Sequence, residues 1–234
     1  MPKPNPKQTS KEVLILSLGG SLIVPEDIDT KFLAKFQSLI LKYIKRKNFI
    51  ILCGGGKTAR KYQEAINKIM NANQEDLDWI GIKATVLNAN VVKTLFGKEV
   101  YSQIIQNPTE KLQIKEPILV AAGWKPGFST DYDAVQLAKT YEVKTVINLT
   151  NVDYVYNKNP KEFKDATPIR SMSWKYFRQL VGNTWRPGLN APFDPIASKL
   201  AQKLELKVII ANGQNLSNLE KIIEGKEFIG TVIG

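Results

Sequence analysis

Phe49-Ile50-Ile51-Leu52-Cys53-Gly54-Gly55-Gly56-Lys57-Thr58-Ala59-Arg60 is the stretch that decides the fold. Its first part, 49–53, is an unbroken apolar run that reads as a buried strand. The glycines at 54–56 end it, and a helical pattern over 58–70 follows at once. A buried strand that turns on glycine straight into a helix is half of a parallel α/β unit. Glycine also lets the backbone approach a phosphate closely, so that successive N–H groups point at the anion and the following helix adds the positive end of its dipole. Lys57 and Arg60 put full charges where the turn becomes the helix. Cys53 reads as a buried strand cysteine with no base to activate it.

The alternation continues on both sides. Upstream, a strand over 13–18 stops at Gly19-Gly20-Ser21. A helix over 28–47 puts Phe32, Phe36, Leu39, Ile40, Tyr43 and Ile44 on one face, with Asp27 or Asp29 at its start. Downstream come a long, mostly apolar helix over 76–96, a strand over 117–122, a loop over 123–130, a helix over 131–141 and a strand over 145–149. Residues 150–192 read as irregular, with prolines at 160, 168, 187 and 192 and one helical stretch over 174–181. A helix over 194–204, a strand over 208–211, a helix over 216–224 and a strand over 231–233 close the chain. Apolar strands each followed by a helix predict an α/β protein, a three-layer αβα sandwich with a mostly parallel central sheet. Crossovers are expected to be right-handed, with ligands outside the carboxyl ends of the strands. The 234 residues and 43% hydrophobic content suit a single domain over 11–234 behind a flexible tail, 1–10.

Composition removes several classes of chemistry. With no histidine, there is no Ser-His-Asp triad, no Cys-His pair and no histidine metal site; no protein-held metal is expected. A single cysteine rules out an intramolecular disulfide. No apolar stretch reaches the ~18 residues of a membrane span. The first residues lack the apolar core of a signal peptide, so a cytoplasmic location is expected. Lysine plus arginine number 33 against 22 acidic residues, a formal charge of +11. The lysines are spread along the chain, and the densest run, Lys42, Lys45, Arg46 and Lys47, falls at the expected end of a helix, where cations are favoured anyway. A solvated basic surface accounts for this, and neither nucleic acid nor membrane is expected as a partner.

Three glycine-containing loops follow strands: Gly19-Gly20-Ser21, Gly54 to Arg60, and Gly123-Trp124-Lys125-Pro126-Gly127-Phe128-Ser129-Thr130-Asp131. One such loop is often only a tight turn. Two before helices suggest paired anionic groups, as phosphoryl transfer requires. The Walker lysine loop and the G-x-G-x-x-G fingerprint are both absent.

Taken in order, these loops resemble the amino-acid-kinase family, and within it the archaeal-type uridylate kinases. Gly54 to Tyr62 is similar to G-G-G-K-x-A-R-x-Y, and Asp78-Trp79-Ile80-Gly81-Ile82 to an acidic-aromatic-Ile-Gly-Ile stretch. Asn88-Ala89 resembles part of A-N-A, Pro126 to Asp131 resembles P-G-x-T-T-D, and Thr150 to Tyr156 resembles T-N-V-D-G-V-Y. Asp194-Pro195 with Lys199 resembles D-P-x-x-x-K, and Gly230-Thr231-Val232-Ile233 also fits.

The resemblance implies the amino-acid-kinase fold, ATP-dependent phosphorylation of UMP to UDP, Mg²⁺ entering with ATP, and a homo-oligomer, a hexamer in the uridylate kinases. It implies an acceptor half over about 11–142 and an ATP half over about 143–234. It places Gly20, Ser21, Gly56, Arg60, Thr150, Asn151, Tyr156 and Asn159 at ATP. Gly55, Asp78, Lys125, Pro126, Gly127, Phe128, Ser129, Thr130 and Asp131 fall at UMP. Arg60, Lys57 and Asp194 fall at the transferring phosphoryl group. A phosphate oxygen of UMP is already a nucleophile at pH 7, so the lack of histidine does no harm to such a reaction. It argues against isopentenyl phosphate kinases, relatives that use a histidine in the glycine loop.

The chain also departs from the pattern. Ser17 stands where many relatives carry lysine, Tyr154 where they carry glycine, and Asn159 where they carry aspartate. Phe128 replaces a histidine, and Lys125 stands where archaeal-type members often have one. Lys57 or Lys199 is available to substitute for the missing lysine. Several site residues have simpler readings too: Asp78 on a solvated helix face, Asp131 and Asp194 as helix caps, Thr150-Asn151 as a turn, and Trp79, Trp124, Trp174 and Trp185 as core or interface. The competing functions are a kinase for another small anionic acceptor and a non-catalytic nucleotide-binding, regulatory or storage protein on the same fold. A nucleic-acid module would rest on charge alone.

Overall fold

The computed structural model describes residues 11–160, 162–182 and 192–234. The tail 1–10 and Trp185 lie outside the described residues. In chain order the first elements are β1 (Glu12–Leu18), α1 (Gly20–Ile23), α2 (Thr30–Tyr43), β2 (Lys47–Cys53), α3 (Gly56–Ile69), α4 (Gln74–Phe96), β3 (Ile118–Ala121), α5 (Thr130–Thr140) and β4 (Thr145–Thr150). There follow β5 (Val155–Tyr156), β6 (Pro168–Ile169), β7 (Ser171–Met172), α6 (Trp174–Val181), α7 (Pro195–Lys203), β8 (Lys207–Asn212), α8 (Leu216–Ile223) and β9 (Thr231–Ile233).

Among the described residues one seven-stranded sheet runs in the order β3-β2-β1-β4-β8-β9-β7, and β5 and β6 form a separate ribbon. Every pairing in the large sheet is parallel except β8 with β9. Successive strand residues point to opposite faces, and both faces are covered. Leu14, Leu16 and Leu18 of β1, with Phe49, Ile51 and Cys53 of β2, face Phe32 and Phe36 of α2, Ala89 and Val92 of α4, and Leu219 of α8. Ile15, Ile50 and Leu52 face the other layer, built by Ala134 and Leu137 of α5, Trp174 and Phe177 of α6, and Ala197 and Ala201 of α7. Phe36 and Phe177 are wholly buried; each such side chain contributes on the order of 2 kcal/mol by leaving water. This is the three-layer αβα sandwich that the apolar runs predict.

Three boundaries differ from the sequence reading. The helix expected over 28–47 is α2, capped by Asp29, whose side chain accepts the Phe32 N–H. It stops at Tyr43, and Lys47 already belongs to β2, opposite Glu12 of β1 with which it is ion-paired. The basic run therefore crosses from a helix end through a turn into a strand. Gly56, expected in the turn, already begins α3. Among its described residues the segment read as irregular holds three strands, β5, β6 and β7, each two residues long. Pieces so short carry no periodic signal. Among the described residues no helix is long and apolar enough to cross a membrane.

Candidate active site

β1 and β2 stay in register to their ends, Leu18 opposite Cys53, so the turns that follow leave the sheet side by side. The Gly54 N–H donates to the Leu18 carbonyl at 3.0 Å, and the Gly19 N–H to the Leu149 carbonyl at the end of β4 at 3.0 Å. The two turns then press directly on each other. A Cβ on Gly20 would lie 2.0 Å from the Gly56 nitrogen, and one on Gly56, where φ is +60°, would lie 2.2 Å from the Gly20 oxygen. Glycine is thus required at both positions by backbone contact as well as by any phosphate.

A buried side chain fixes the second turn from behind. Asn88 of α4, 2% exposed, donates through Nδ2 to the carbonyls of Gly54 at 2.8 Å and Gly55 at 3.1 Å. One helical turn earlier, Thr85 accepts the Gly123 N–H at 2.8 Å and donates to the Ile82 carbonyl at 2.6 Å. A single face of α4 therefore holds both the glycine turn and the head of the loop between β3 and α5. The loop is held further along by Asp78, which accepts the Gly127 N–H at 2.8 Å.

Between these elements lies a cleft of about 300 Å³ at the carboxyl ends of β1, β2 and β4. It brings together nine of the residues expected at the nucleotides: Gly20, Ser21, Gly55, Gly56, Arg60, Thr130, Asp131, Thr150 and Asn151. Arg60 is exposed, and none of the ion pairs among the described residues includes it. Asp131, in the first turn of α5, accepts the backbone N–H of Asp194 at 2.9 Å. Burial pushes its carboxyl up to about 7; the charge of Asp194 adds to the shift and the Asp194 N–H opposes it.

The other expected residues lie off the cleft wall. Lys57 is ion-paired with Glu26 at 3.3 Å. Lys125 stacks its ammonium over Trp124 at 4.0 Å and lies 5.3 Å from the Phe128 ring. Trp124, Phe128 and Tyr132 are ring neighbours, at 5.5 and 4.4 Å between successive centroids. Pro126 is half-buried in the same loop. Ser129 caps α5 by accepting the Tyr132 N–H, which frees Asp131 from the capping role. Asp194 is a buried cap of α7, accepting from Ile196 and Ala197, with Pro195 in the first turn. Thr150 lines the cleft and also closes a turn by accepting the Val152 N–H at 3.0 Å. Tyr156 sits on β5, edge-on to Tyr154 at 6.5 Å. Asn159 is exposed and donates to Glu162 at 2.6 Å.

Ser17 and Asn148 also line the cleft, and they face each other across the β1–β4 pairing. Both are visible in the sequence as single polar residues inside apolar runs; Ser17 is noted there as the position where many relatives carry lysine, whereas Asn148 is not singled out. Asp133 is a further buried carboxylate that the sequence reading does not single out. Among the described residues no three acidic or cysteine side chains cluster closely enough to hold a metal ion.

Paired glycine turns at strand ends, a free arginine and a helix start gathered round one cleft define a phosphate-binding αβα protein. Residues 12–212 match the model of the amino acid kinase family, and the chain belongs to that family. Among curated proteins it is 35% identical over 226 residues to the uridylate kinase of Thermoplasma volcanium, covering 95% of this chain and 97% of that one. It is 30% identical over 217 residues to the uridylate kinase of Pyrococcus abyssi, covering 91% and 96%. Among solved structures, uridylate kinase from Archaeoglobus fulgidus superposes with a TM-score of 0.80 at 29% identity, covering 95% of this chain and all of that one.

Proposed function

We propose that this chain is an ATP-dependent UMP kinase, converting UMP and ATP to UDP and ADP in pyrimidine nucleotide biosynthesis. The observation that carries the reading is the cleft itself. Both glycine turns, Arg60, Thr130 and Asp131 converge there, in a chain aligned nearly end to end with proteins named uridylate kinase.

In this reading a phosphate oxygen of UMP attacks the γ-phosphorus of ATP, and the bond from that phosphorus to the ADP oxygen breaks. No general base is needed; positioning and charge neutralisation carry the rate. Gly20, Ser21 and Gly56 cradle the ATP phosphates through backbone N–H groups, and Arg60 neutralises the transferring phosphoryl group. Lys57 supports it at longer range, since its ammonium is shared with Glu26. Thr150, Asn151, Tyr156 and Asn159 serve the ATP side. Gly55, Asp78 and the loop from Lys125 to Asp131 serve UMP, and Asp194 fixes Asp131 beside the reacting centre. Mg²⁺ held by the ATP oxygens would neutralise their charge.

The acceptor half, 11–142, and the ATP half, 143–234, share one sheet in this reading. A cytoplasmic location goes with it. So does a homo-oligomer, a hexamer by resemblance. Ile69, Tyr62, Leu87 and Met70 on α3, α4 and their connection are 80, 67, 57 and 56% exposed, an apolar surface that a second copy would cover. Phosphorus NMR of Mg-ATP and UMP incubated with the protein tests the reaction. ADP and UDP must appear in equal amounts, and ADP with free phosphate alone would contradict it.

A further inference from the structure

Asp133 is a carboxylate that the proposed reaction leaves unused. It is 1% exposed on α5. Its Oδ2 accepts the Trp124 N–H at 3.1 Å, at the head of the acceptor loop. Its Oδ1 is buried with no hydrogen-bond partner. An ionised carboxylate in that position is costly, because one of its oxygens is buried and meets no donor among the described residues.

The surrounding charges make matters worse. Asp131, two residues earlier, lines the cleft and touches Asp194, itself buried. None of the ion pairs among the described residues includes any of these three carboxylates. Of the elements packed against α5, α7 carries Lys199 and Lys203, both exposed to solvent, and Lys125, beside Trp124, has its ammonium over that ring. The adjoining ends of β1 and β4 offer the uncharged Ser17 and Asn148. Burial pushes the carboxyl of Asp133 up to about 7, the charge of Asp131 adding to it and the Trp124 N–H opposing it. In the acceptor reading a phosphate monoester, with a charge of about −1.5 to −2 near neutral pH, enters the cleft that Asp131, two residues along α5 from Asp133, helps to line. Like charge then favours the protonated form further.

We propose that Asp133 is a positioning residue that holds the acceptor loop through Trp124, and that it takes up a proton when a phosphate monoester enters the cleft. The inference rests on the reading of the cleft as an acceptor site. The proton comes from water or buffer and goes to the unpartnered Oδ1, while Oδ2 continues to accept from Trp124. No other bond forms or breaks. Because Asp131 interacts with Asp133, the two titrate as a pair, and it is the unpartnered Oδ1 that assigns the proton to Asp133.

Calorimetry of UMP binding at about pH 7.5, in two buffers of different ionisation enthalpy, reads the proton count. The wild-type protein should take up on the order of half a proton or more per bound UMP. Asp133→Asn keeps an oxygen for the Trp124 N–H; it should bind UMP within about threefold and take up clearly less. No uptake in the wild type, or equal uptake in both proteins, overturns the proposal. Absence of UMP binding would instead sink the acceptor reading, and ligand-free unfolding then decides. The folded carboxyl titrates above its unfolded value, so its stabilising contribution is full on the acid side and is lost as pH rises towards 7 and beyond. The melting temperature of Asp133→Asn minus that of the wild type should therefore grow from pH 5 to pH 8. A difference that does not change with pH would overturn the titration of Asp133.

Discussion

Asp131 accepts the backbone N–H of Asp194 at 2.9 Å, and this bond joins the first turn of α5 to the cap of α7. It also sets what each of the two neighbouring carboxylates accepts. One carboxylate is engaged by the other residue's main chain, and the other by the first N–H groups of its own helix. Asp131→Asn keeps an acceptor for the bond, whereas Asp131→Ala leaves the N–H without one. The alanine variant should be less stable than the asparagine variant by about 1–3 kcal/mol in urea unfolding. Equal stabilities would mean that the bond contributes nothing.

Arg60 and Lys57 both follow the glycine turn, yet the structure separates them. Arg60 is on the cleft wall without an ion pair, while Lys57 is shared with Glu26. Arg60→Ala should lower kcat/KM by roughly 10²–10³-fold with an unchanged melting temperature. Lys57→Ala should cost less, about tenfold or below. Steady-state kinetics on both variants checks the order.

The contact between Gly20 and Gly56 predicts a large stability effect. Gly20→Ala and Gly56→Ala should each cost more than about 3 kcal/mol or prevent folding, because each new methyl meets rigid backbone at 2.0 and 2.2 Å. Gly97 provides the control: its φ is +54° but nothing lies within 4 Å of a Cβ there. Gly97→Ala should cost only the backbone strain, about 1–3 kcal/mol. Urea midpoints compare the three.

Asn88 predicts a second-turn defect. Asn88→Leu leaves the carbonyls of Gly54 and Gly55 without their donor and should cost about 2–4 kcal/mol. Asn88→Asp should be worse at pH 8, where a carboxylate would face two carbonyl oxygens, and should partly recover at pH 5. Thermal unfolding at both values checks it.

Much of this was legible in sequence wherever burial is local. The runs 13–18 and 49–53 name β1 and β2 because both faces of a parallel sheet are covered, and the glycines after them mark the cleft. Boundaries failed where local signals conflict. Lys45, Arg46 and Lys47 suit a helix end, but Lys47 is held in β2 by its pairing with Glu12. Roles failed where contacts are long-range. Asp78 reads as a solvated helix residue until Gly127, 49 positions away, is seen donating to it. Asp133 likewise reads as an ordinary first-turn acid of α5 until the Trp124 N–H, nine positions away, is seen donating to it. Ser17 and Asn148 were visible as polar breaks in apolar strands, but only their register pairing shows that they share the cleft.

The central claim is the acceptor. Purified protein with Mg-ATP and, in turn, UMP, CMP, AMP and GMP, followed by ADP release, gives kcat/KM for each. The account predicts turnover on UMP at least about tenfold above the other three, the discrimination expected when a site is shaped to one base. Tight binding of UMP and ATP without ADP release, or equal or better turnover on another nucleotide, would contradict it.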